Sequence, residues 1–65
     1  MNPASSVIVR MGSENAAWVD DWRGEAVRLL RSVADAIEAD RLSPGGAMRL
    51  MDSNGNRLGE AIVSK

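Results

Sequence analysis

Asn54-Gly55 constrains this chain more than any other feature, because it sits between two apolar runs, Ala47 to Asp52 and Arg57 to Val63. An Asn-Gly pair accepts the positive φ of a tight turn at little cost, so flanking apolar runs read as a β-hairpin over about 47–63. Two registers compete. A two-residue Asn54-Gly55 turn pairs Leu50 with Gly59 and puts Met51, Leu58, Arg49 and Glu60 on one face, which mixes charge with the core. A type I turn over Ser53-Asn54, with Gly55 as a left-handed bulge, puts Met48, Leu50, Leu58 and Ile62 on one face and Arg49 and Arg57 on the other. The second register keeps charge out of the core and is the expectation.

Upstream, Val7-Ile8-Val9-Arg10-Met11 is rich in β-branched residues and closed by Gly12, which predicts a strand over about 6–11. Met1 to Ser5 are small and polar and read as a frayed start, and Ser13 to Asp20 show no clear period. Trp22, Ala26, Leu29, Leu30, Val33, Ala34 and Ile37 then recur at helical spacing, which predicts an amphipathic helix over about 21–41. Asp20 or Asp21 caps its start. Glu25, Arg28, Ser32 and Asp35 form the wet face, where Arg31 and Asp35 are spaced to pair. Gly24 weakens the helix unless a neighbour packs closely against it. The stop signal is Ser43-Pro44-Gly45-Gly46, with the helix ending near Asp40 to Leu42.

Strand, helix and hairpin make a small α+β domain of β-α-β-β order, one amphipathic helix packed on a three-stranded sheet. The last strand is expected in the middle, antiparallel to both others. Sixty-five residues are room for one domain with a thin core, and the chain has no cysteine to staple it. A homodimer is the expected remedy, through an exposed sheet face carrying Met51, Ala61 and Val63.

The residues present also narrow the chemistry. Without histidine, cysteine or tyrosine the chain lacks the commonest acid/base near neutrality and the usual soft metal ligands, so no enzyme and no cofactor are expected. A net charge of −1 gives no overall field toward nucleic acid or an anionic membrane. No run is long enough to span a bilayer, the N-terminus does not resemble a signal peptide, and the expected location is cytoplasmic.

The hairpin Leu50-Met51-Asp52-Ser53-Asn54-Gly55-Asn56-Arg57-Leu58-Gly59 resembles the closing signature of short phage and prophage proteins. These end in leucine, aspartate, Asn-Gly-Asn, valine or leucine, then glycine. Their preceding helix resembles Glu25 to Glu38, so the likeness spans about residues 22 to 60. It implies a bacteriophage accessory protein of this fold and transfers no activity to any residue.

Three clusters carry functional readings beside plainer ones. Asp52, Asn54 and Asn56 match the first donors of a calcium loop, but Arg57 and Val63 stand where that loop needs glycine and glutamate, so hairpin geometry is the reading. Trp18 and Trp22 either close the core, Trp22 capping it and Trp18 folding over its end, or one of them is an exposed anchor beside Asp20, Asp21 and Glu25. Arg10, Arg49 and Arg57 either solubilise the sheet, paired with Glu60 or water, or form a basic strip for nucleic acid. No aromatic residue accompanies that strip for base stacking. The expected function is therefore a non-enzymatic phage accessory protein that binds and obstructs a host protein as an anti-defence or regulatory inhibitor. A small nucleic-acid-binding module is the alternative.

Overall fold

A computed structural model describes residues 3–65. Met1 and Asn2, the first residues of the expected frayed start, lie outside them. The elements run β1 (Ser6–Met11), α1 (Ala16–Glu38), β2 (Ala47–Met51) and β3 (Arg57–Ser64). The sheet order is β1-β3-β2 with both pairings antiparallel, so β3 is central as the connectivity predicts. One helix on a three-stranded antiparallel sheet is the α+β architecture read from the sequence. Ser5 is already tied down, its N–H donating to the Ser64 carbonyl at 3.0 Å.

The helix departs from its predicted bounds at both ends. It begins at Ala16, inside the stretch without a clear period, behind Asn15, whose side chain makes no capping bond. Asp21 then breaks the helical angles (φ −148°, ψ 57°) and kinks the helix. At that kink Gly24 N–H donates to Asp21 Oδ1 at 3.2 Å, so Asp21 caps the second segment, while Asp20 lies in the first. A β-carbon on Gly24 would meet the Asp21 carboxylate, so the cap on the Gly24 amide would have to swing aside.

The helix ends at Glu38, before the proline-glycine signal. Asp40 takes the left-handed conformation (φ 59°), Arg41 N–H donates to Ala36 O at 2.8 Å, and Asp40 N–H donates to Ile37 O at 3.1 Å. That pattern is a Schellman stop with aspartate where glycine is usual; a short polar side chain tolerates the left-handed region better than most. Ser43 to Gly46 serve instead as the joint into β2, with Gly45 N–H donating to the Val63 carbonyl at 2.8 Å.

The hairpin combines both registers weighed above. At the tip Gly55 N–H donates to Asp52 O (3.0 Å), Asp52 N–H donates to Asn56 O (2.8 Å), and Gly55 has φ 85°, the expected turn and bulge. Met51 pairs with Arg57, but the next pair is Leu50 with Gly59, so Leu58 is a second, extra residue on β3. Had pairing continued evenly, Glu60 would lie opposite Met48 on the inner face. The second bulge shifts every later residue by one: Ala61 and Val63 turn inward with Met48 and Leu50, and Glu60 and Ile62 turn outward.

The core consists of Leu29, Val33 and Ala36 of α1, Leu42, Leu50 of β2, and Leu58, Ala61 and Val63 of β3. This overturns the predicted dimer face: Ala61 is 0% and Val63 4% exposed, and only Met51 of the three is at the surface. The apolar stripe of α1 is wider than one sheet can cover. Trp22, Leu30, Ala34 and Ile37, all placed in the core by periodicity, are exposed.

Candidate functional site

Glu25, assigned to the wet face, is buried at 7% exposure. Its burial is matched by hydrogen bonds on both oxygens. Oε2 accepts from Arg28 Nη2 at 2.6 Å and Nε at 3.2 Å, while Oε1 accepts from Ser53 Oγ at 2.8 Å and Ser53 N–H at 3.4 Å. Arg28 also donates to the Met51 carbonyl at 3.0 Å. The bonds from Arg28, then Ser53, hold the Glu25 carboxyl below its ordinary range. Glu25 and Arg28 thus latch the helix to the hairpin tip. Among the described residues Glu25–Arg28 is the ion pair that forms, in place of the predicted Arg31–Asp35 pair.

Asp52 is the second buried carboxylate. Its Oδ1 accepts from Asn54 N–H (2.9 Å) and Asn56 N–H (2.8 Å), and its Oδ2 from Asn56 Nδ2 (3.3 Å). The Asn56 amide above all holds its carboxyl below the usual range. The Asp52 carboxylate, first of the donors that suggested a calcium loop, is spent organising the turn. No group of three or more metal-ligating side chains occurs among the described residues.

One tryptophan is packed and the other open, where the plainer reading packed both. Trp18 is half-buried and packs against the core, whereas Trp22 is 50% exposed. The kink at Asp21 separates them, so four-residue spacing no longer aligns their rings. The Arg23 guanidinium stands 4.9 Å from the centre of the Trp22 ring, and Val19, Asp20, Asp21 and Glu14 are exposed nearby in sequence. Of the five residues singled out as a partner site, Trp22, Asp20 and Asp21 therefore form an open end of the helix; Trp18 belongs to the packing and Glu25 to the latch.

On the outer sheet face Arg10 and Arg49 both stand opposite Glu60, one from each neighbouring strand. A carboxylate thus sits between two of the three arginines proposed for nucleic acid. Arg57 pairs with Met51 beside the second bulge, away from that row.

The geometry defines a small helix-on-sheet domain whose polar cluster is structural and whose open features are a helix end and an apolar helix flank. No family model, curated protein or solved structure matches this chain. No helix among the described residues is long and apolar enough to cross a membrane.

Proposed function

We propose that this chain is a non-enzymatic binding protein that obstructs a host protein through the kinked start of α1, in the phage accessory setting that its hairpin resembles. The observation that carries this reading is Trp22, half-exposed at the kink, with Val19 exposed three residues before it. Large aromatic side chains dominate binding energies when a partner buries them. Glu14, Asp20 and Asp21 are exposed close to that anchor in sequence, and on this reading the complementary partner is an apolar pocket rimmed by arginine or lysine. In the phage accessory setting its site of action is the host cytoplasm.

The competing nucleic-acid reading has no comparable support, because Glu60 divides its arginines and no aromatic joins them. The decisive experiment immobilises the wild-type chain and Trp22→Ala on separate supports and exposes both to host extract. The purified retained protein is then titrated against each. A specific protein bound by the wild type and weakened roughly thirtyfold or more by Trp22→Ala supports the reading. Equal retention by both, or binding that is lost only on raising salt and reappears with nucleic acid, overturns it.

A further inference from the structure

Ala26, Leu30 and Ile37 make an open apolar flank on α1, with Leu30 49% exposed and Ala26 partly covered. At about 100° per residue Leu30 lies roughly 160° around the helix from Arg28. Arg28 reaches the Met51 carbonyl at the end of β2, so the flank lies on the side of β1. A groove lined by Val7 and Ile37, with Pro3, Ala4 and Leu42, joins the two there. Val7 stands directly opposite buried Val63 and shares its face of the sheet, yet is 51% exposed, because α1 does not reach over β1. The outer edge of β1 pairs with no strand among the described residues. Ser6–Met11 carries no proline, and Arg10 is its one charged side chain.

We propose that a second copy of this chain covers the flank, with the two α1 helices side by side and antiparallel about a two-fold axis at Leu30. Reversal suits this stretch of sequence. The residues four before and four after Leu30 are Ala26 and Ala34, so the reversed helix sets Leu30 against Leu30 and alanine against alanine, which permits close approach. Arg23 and Glu38 stand near opposite ends of the flank, both exposed and neither in an ion pair among the described residues. Antiparallel pairing brings Arg23 beside the partner's Glu38, twice by symmetry, whereas parallel pairing would oppose like charges. Trp22 follows the kink and carries Arg23 over its ring, so it borders this contact, and the second copy and the host partner share that end of the helix.

Sedimentation equilibrium of the full chain at micromolar concentration tests this. The wild type is expected at twice its 7.0 kDa mass and Leu30→Glu at the single mass with unchanged circular dichroism, since Leu30 is not in the core. Arg23→Glu and Glu38→Arg should each weaken the dimer roughly fivefold to twentyfold, and the two together should restore it to within about threefold of the wild type. A monomeric wild type, a dimer indifferent to Leu30→Glu, or a charge-swapped double variant no stronger than its parents would overturn the proposal.

Discussion

Ser53 Oγ donates a 2.8 Å hydrogen bond to Glu25 Oε1, joining the hairpin tip to the middle of α1. Because Arg28 holds the other oxygen of the same carboxylate and also the Met51 carbonyl, helix and hairpin meet through one connected polar group. Removing Glu25 strands both Arg28 and Ser53, whereas removing Ser53 leaves the ion pair intact. Ser53→Ala should therefore cost about 0.5–1.5 kcal/mol. Glu25→Ala should cost more than that and far more than Asp35→Ala on the exposed side. Urea unfolding of the two single variants and the double variant checks this: the double should lose little beyond Glu25→Ala alone.

The two buried carboxylates set the response to acid. Both Glu25 and Asp52 are held below their ordinary ranges in the folded chain, so on acidification the unfolded chain takes up their protons first. Their contribution to stability is fully present above about pH 5, the upper end of the ordinary carboxylate range, and is lost as pH falls through the folded values. Thermal midpoints should be level near neutrality and fall steadily below about pH 4.5. Asp52→Asn should flatten that fall while lowering the neutral midpoint, since the amide keeps the shape of the turn but accepts from its neighbours through one oxygen. An acid profile identical to wild type in Asp52→Asn would remove Asp52 from this account.

Two glycines should respond very differently to a single methyl group. Gly55 has open space where a β-carbon would go, and its constraint is conformational, φ 85°. Gly55→Ala should cost about 1–2 kcal/mol. Gly59 is the opposite case: a β-carbon there would overlap the Arg10 carbonyl oxygen and come 2.7 Å from the Arg10 carbonyl carbon, so the strand β1 itself must move. Gly59→Ala should exceed Gly55→Ala by enough to leave much of the chain unfolded, because a domain of this size has only about 3–5 kcal/mol to lose. Equal midpoints for the two would contradict the packing of β1 against β3.

These glycines mark where the sequence was legible and where it was not. Asn54-Gly55 announced the turn because the positive φ is a local demand, met within four residues. The second bulge at Leu58 has no such local sign. It is required only by the need to keep Glu60 off the inner face, and that depends on which side the helix lies. The two registers weighed from sequence each describe part of the hairpin: the bulged turn at the tip, and the Leu50–Gly59 pairing beyond it. Glu25 was misplaced for a related reason, since helical spacing alone cannot foresee a serine brought across from the hairpin. The helix kink at Asp21 was half visible: aspartate was read as a cap, which it is, but a cap within a longer helix.

The different settings of the two tryptophans are the last consequence to test. Trp18 packs against the core from the segment ahead of the kink, and Trp22 stands half in solvent with Arg23 over its ring. Trp18→Ala should cost about 1.5–3 kcal/mol through lost apolar burial, and Trp22→Ala under about 1 kcal/mol. Fluorescence separates the two directly. In Trp22→Phe the remaining Trp18 should emit at shorter wavelength and shift on unfolding, because its surroundings change from core to water. In Trp18→Phe the remaining Trp22 should emit at longer wavelength, yield readily to acrylamide, and shift little on unfolding. Trp22 should become protected only when the partner proposed for the helix start is added. If Trp22 instead proves the shielded ring in the isolated chain, the kink does not hold the two indoles apart and the binding anchor must be sought on another residue.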